Sequence, residues 1–183
     1  AKGECEGVTP SAGVRGRAPK LAGGDNMSQI SSSQLLVLEF GSQVYSCAQI
    51  IMAGGLRMVG RENPDLLRAM GGLAQGMGCS GGVCGALSGG VCLIALHTAK
   101  GDAGEQASDI GPALMNELVE WFRTEHGKDG DISCDTLLGA SSGPECRMMQ
   151  PEFCGNLVAS VWDKTLRLLV ENDINPAEGR EPA

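Results

Sequence analysis

Residues 71–90 read GGLAQGMGCSGGVCGALSGG, and nine of these twenty are glycine. A stretch with so few side chains has little to bury, and each glycine inside a regular element costs about 0.5–1 kcal/mol relative to alanine. Two uses are open. The glycines let backbones pack closely, with Cys79 and Cys84 as small buried apolar residues, or they clear space around reactive sulfur.

The flanking segments read as helices. Ser31 and Gln34 have capping-box spacing, and Leu36, Phe40, Val44, Cys47 and Ile51 then share one helical face. This predicts a first helix from Ser31 to Gly54-Gly55, with Cys47 near its middle. Pro64-Asp65 opens a second, running into the glycine stretch, and a third begins near Val83. The fourth lies in ASDIGPALMNELVEWFRTEHG, with Ile110, Leu114, Leu118 and Trp121 at helical spacing. One short turn, SCDTLLG, with Asp131 and Ser133 as caps, precedes a last helix from Pro151 to about Asn172. No alternating β pattern with hairpin signals is present. The expectation is an all-α single compact domain of about five helices over 30–174. An extended N-terminal arm over 1–29, which holds two Pro and six Gly, and a tail over 175–183 flank it.

The totals narrow the partners. The chain has 183 residues and a formal charge of -8, which argues against nucleic acid, since phosphate binding needs clustered Lys and Arg. Two Trp, one Tyr and three Phe are too few for a base-stacking platform. No apolar run reaches the ~18–20 residues of a membrane span. The arm favours contact with a redox partner protein or a homodimer. The compartment is left open.

Eight cysteines are many for such a domain: Cys5, Cys47, Cys79, Cys84, Cys92, Cys134, Cys146 and Cys154. Cys84, Cys134 and Cys154 each fall near the N-terminus of an expected helix. Free N–H groups and the helix dipole favour the thiolate there, the form that binds metals and attacks disulfides. Gly85 and Gly89 on the third helix leave a face of nearly bare backbone, open to close approach by the first helix with Cys47.

Local spacing provides no standard cofactor motif. Cys79 and Cys84 make C-x4-C without the following C-x2-C of a plant-type ferredoxin. There is no C-x-x-C and no C-x-x-C-H, so neither a zinc ribbon nor covalent haem is encoded. Any site must be assembled from distant segments. His97 and His126 read as structural or solvated, the eight methionines as core filler, and Glu117 and Glu120 as a solvated helix face.

The segments YSCAQIIMAGG, GGLAQGMGCSGGVCGALSGG, FRTEHGKDGDISCDTLLG and CGNLVASVW resemble the redox-active family named for a C-GCAxxG-C-C cysteine pattern. The resemblance covers about residues 45–170. Cys47 matches the first family cysteine, Cys84 in CGALSG the central one, and Cys134 and Cys154 the last two. Val83 stands where the family name has glycine, and Cys5, Cys79, Cys92 and Cys146 lie outside the pattern. A related domain occurs with haem in split-Soret cytochromes of anaerobes. The resemblance implies a helical fold and a cysteine-based redox or iron–sulfur role.

Three functions are therefore carried forward. In the first, Cys47, Cys84, Cys134 and Cys154 converge on an iron–sulfur cluster or other metal in an electron-transfer protein, with Cys79 and Cys146 as second candidates. In the second, two of the four form a reversible disulfide without metal. In the third, the cysteines hold structural zinc or merely pack, and the protein is an accessory subunit.

Overall fold

A computed structural model describes residues 31–139 and 150–180 of the chain. The expected N-terminal arm, with Cys5, and the segment containing Cys146 lie outside the described residues. Seven α-helices form among those described: α1 Ser32–Ser42, α2 Cys47–Met58, α3 Pro64–Met70, α4 Gly85–Thr98, α5 Gly111–Glu125, α6 Cys134–Leu138 and α7 Pro151–Glu171. No strand is present among them, only the isolated bridges Val83–Ser133 and Lys128–Asp131. The all-α class is thus the one that forms.

The expected first helix is two helices. Its N-terminus is as read, with Gln34 donating its backbone N–H to Ser31 Oγ at 3.2 Å and Ser31 donating to Gln34 Oε1 at 3.0 Å. The helix then stops at Ser42, and α2 leaves at a bend of 114°. Val44, with φ 64, is the pivot. A β-branched residue in the left-handed region is an outlier, so periodicity alone gave no warning of a break there. Gly54-Gly55 do not end α2, because both are buried inside it against neighbouring helices.

Helix α4 is the axis of the domain, packed by α2, α5 and α7. Its small residues permit three partners at once. A Cβ on Gly89 would lie 3.0 Å from Ala48 Cα in α2, and one on Gly90 would lie 2.7 Å from a Val161 methyl in α7. Around this axis Ile51, Leu87, Leu93, Ile94, Leu118, Phe122, Leu168 and Leu169 are almost wholly buried. Full burial of each such side chain contributes about 1.5–3 kcal/mol. A second cluster of Ala48, Met52, Leu56 and Met70 joins α2 to α3. No single helix among the described residues is long and apolar enough to cross a membrane.

Candidate functional site

The break between α1 and α2 moves Cys47 from the expected helix middle to the first residue of α2. Ser46 precedes it, and Gln49 Oε1 accepts the Ser46 N–H at 3.0 Å. Cys84 is the N-cap of α4, Cys134 the first residue of α6, and Cys154 the fourth residue of α7. All four cysteines matching the family pattern therefore sit at helix N-termini, where the sequence indicated three.

Local chemistry fixes each start. Cys134 follows Ser133, whose Oγ accepts the Thr136 N–H at 3.3 Å. Asp131 anchors that turn by accepting from Ser133 N at 2.9 Å, Ser133 Oγ at 3.0 Å and Thr136 Oγ1 at 2.5 Å. These bonds, led by that from Thr136, hold the Asp131 carboxyl below its ordinary value. Reciprocal backbone bonds then join two cysteine segments: Cys84 donates to Ile132 O at 3.0 Å, and Cys134 donates to Gly82 O at 2.6 Å. On α7, Cys154 donates its N–H to Gln150 O at 3.1 Å.

The glycine stretch supplies the fourth connection. Gln75, Gly76, Met77, Gly78 and Cys79 all have positive φ, between 50° and 76°. The non-glycine residues there, Gln75, Met77 and Cys79, cost roughly 1–2 kcal/mol each. This left-handed loop turns the Gln75 N–H onto the sulfur of Cys47. Gly85 supplies the remaining room. A Cβ on it would lie 2.5 Å from Cys47 Sγ and 2.8 Å from Leu73 O. At Gly85 α2 and α4 therefore approach closely, and the point of approach is a sulfur.

Electrostatics link the four thiols. Burial pushes Cys84 from 9.0 up to about 12, and the charges of Cys47 and Cys134 add to the rise. Cys154 is pushed up to about 11, again by burial first and then by Cys47 and Cys134. Burial also raises Cys47, against the pull of N–H groups from Gln75, Ala48 and its own backbone. Cys47 and Cys134 therefore each act on both other sulfurs.

The sequence expectation that helix N-termini would favour thiolate is correct in sign and overridden in size. N–H groups of Leu87 and Ala86 do lower Cys84. A helix terminus contributes about 0.3–1 kcal/mol, up to about 2 when partly buried. The net rise of Cys84 from 9.0 to about 12 corresponds to roughly 4 kcal/mol in the opposite direction. Burial wins.

The other described candidates are Cys79, Cys92 and the two histidines. Cys79 is exposed, and Cys92 packs half-buried against the α2–α3 cluster. His97 is buried with Nε2 lacking a hydrogen-bond partner among the described residues, and His126 pairs with Ser160 Oγ at 3.0 Å. Burial lowers both histidines below the ordinary range, in keeping with structural roles. Two groups beside Cys47 went unseen in the sequence: the Gln75 N–H, and Ser46 Oγ, which is buried without a hydrogen-bond partner among the described residues. Ser46-x-x-Gln49, with the same spacing as Ser31-x-x-Gln34, was the available signal for a helix start at Cys47. Among the described residues, no group of three or more His, Cys, Asp or Glu is spaced to hold a metal ion.

A family model described as "Putative redox-active protein (C_GCAxxG_C_C)" matches residues 45–168, the span that contains all four helix-terminal cysteines. Comparisons with curated proteins and with solved structures return no match.

Proposed function

The chain belongs to the C_GCAxxG_C_C family of redox-active proteins, and from that premise we propose that Cys47, Cys84, Cys134 and Cys154 form one electron-transfer centre holding an iron–sulfur cluster. The observation that carries this reading is the electrostatic coupling among the four thiols, of which Cys47, Cys84 and Cys154 are driven upward by burial. Thiols at about 12 and about 11 are almost wholly protonated near neutral pH. They are therefore poor nucleophiles, unlike the depressed thiols of disulfide oxidoreductases. A metal-free exchange function gains nothing from such an environment. A group that brings positive charge does, because it offsets both the burial cost and the mutual repulsion of four thiolates.

The donor set fits the group. Cluster irons take cysteine thiolates, and N–H donors directed at sulfur tune the potential of the bound cluster. Gln75, Ala48, Ala86 and Leu87 supply such N–H groups to Cys47 and Cys84. The thiols are not grouped as a closed single-ion site among the described residues; Cys47, Cys84, Cys134 and Cys154, each at a helix start, would hold the cluster. When bound, the cluster supplies one-electron chemistry. The protein contributes four ligands, directed amides and a buried setting.

Anaerobic purification followed by iron and acid-labile sulfide analysis tests the proposal. The expected protein is coloured, contains iron and sulfide in equal amounts, and bleaches with dithionite. A colourless protein without sulfide overturns it.

A further inference from the structure

A cavity of about 690 Å³ opens between the end of α1, the outer face of α2, the turn after it and the start of α3. It contains no cysteine, although Tyr45 and Gln49 on its wall flank Cys47 in the chain. Cys47 and Gln49 are two residues apart on one helix, roughly 200° around its axis, so thiol and cavity occupy opposite faces. The cavity is thus separate from the four-cysteine centre. Its volume falls in the range of about 300–1,000 Å³ that suits small-molecule sites.

The lining is two-natured. Phe40, Tyr45, Leu56 and Leu67 form an apolar floor, and the rings of Phe40 and Tyr45 lie 6.0 Å apart at 41°. Two of the six aromatic residues of the chain are spent here. The rim carries Arg57, Arg61 and Arg68 against the single carboxylate of Glu62, in a protein of formal charge -8. Arg57 is held in place, bonded twice at 2.7 Å to Glu39 and lying 4.8 Å over the Phe40 ring. Arg68 pairs with the exposed Asp65. Solvated pairs of this kind contribute about 0–1 kcal/mol and yield to a competing anion. Arg61 differs from both: its partner at 2.7 Å is the neutral carbonyl of Arg180, it has no carboxylate partner among the described residues, and other N–H donors remain.

We propose that this cavity binds a planar organic phosphate of mononucleotide size. The ring system rests on Phe40, Tyr45 and Leu67, and the phosphate is received by the guanidinium of Arg61, with Arg57 and Arg68 beside it. Guanidinium groups match phosphate oxygens in bidentate geometry, and offset aromatic contacts suit a flat ligand.

Isothermal titration of the full chain at low ionic strength tests this with FMN and AMP, and with riboflavin and adenosine as phosphate-free counterparts. At least one phosphate should bind in the micromolar range, with its counterpart at least tenfold weaker. Arg61→Gln should weaken that binding at least tenfold, and Arg68→Gln, which breaks only the exposed pair with Asp65, several-fold. Arg123→Gln, on α5 and outside the cavity, should leave it unchanged. Binding by neither phosphate, equal binding of the phosphate-free forms, or wild-type affinity in Arg61→Gln and Arg68→Gln would overturn the proposal. None of these outcomes depends on whether the four cysteines hold a cluster.

Discussion

Replacing Gly85 with alanine puts a methyl group where α2 and α4 meet. Its Cβ would sit 2.5 Å from Cys47 Sγ and 2.8 Å from the backbone oxygen of Leu73. Ordinary heavy-atom contacts lie near 3.5–4.0 Å, so about 1 Å of separation must be created. Overpacking of this kind costs about 1–3 kcal/mol. Alanine returns at most about 1 kcal/mol through helix propensity, less at a first helical position. The net expectation is a loss of about 1–2 kcal/mol. Gly41→Ala in α1 is the matched control, because nothing lies within 4 Å of its added Cβ. That change should leave stability unaltered or raise it by up to about 1 kcal/mol. Urea unfolding reads both, and with a slope near 2 kcal/mol/M the Gly85→Ala midpoint should fall by on the order of 0.5–1 M. The same variant should retain less iron, since Cys47 must move. A Gly85→Ala protein as stable as wild type would refute the close approach of α2 to α4 as the reason for glycine there.

Three further outcomes follow from the geometry. Cys84 is an acid whose folded pKa, about 12, exceeds its ordinary 9.0, so in metal-free protein the unfolded chain loses this proton first. Its contribution is complete below pH 9 and is lost as pH rises toward 12; urea midpoints at pH 8 and pH 10.5 should differ, and Cys84→Ala should reduce the difference. His97 behaves oppositely, since burial lowers it from 6.5. Stability should fall as pH drops below 6.5, and His97→Gln should flatten that fall in unfolding curves from pH 7 to pH 5. Val44 is 90% exposed with φ 64, so Val44→Gly removes strain without removing packing and should raise the melting temperature, by about 1 kcal/mol in stability.

Much of the helical layout was legible because its signals are local. Ser31, Pro64, Ser133 and Pro151 stand at helix starts as their chemistry requires, and of the face read on α5 Leu114 and Leu118 are buried, with Phe122 beside them instead of Ile110 or Trp121. The misreadings share a cause: burial and backbone conformation depend on distant segments. Val44 continued the apolar stripe and so concealed the turn it makes. Gly54-Gly55 looked like a stop, yet Leu36 and Trp162 press on one and Leu93 on the other, which reads as packing only after folding. For the candidate site, local chemistry was legible and environment was not. The helix starts beside Cys84, Cys134 and Cys154 could be read from neighbours. The left-handed loop over Cys47 could not, nor could the burial that reverses the expected direction of the thiol pKa values.

The central claim is that Cys47, Cys84, Cys134 and Cys154 act as one unit, and single serine substitutions test it most directly. Iron bound per chain after anaerobic purification should fall by a similar large factor in each of Cys47→Ser, Cys84→Ser, Cys134→Ser and Cys154→Ser. In Cys79→Ser and Cys92→Ser it should stay at the wild-type level. Full iron retention in any of the four, or equal loss in Cys92→Ser, would contradict the account.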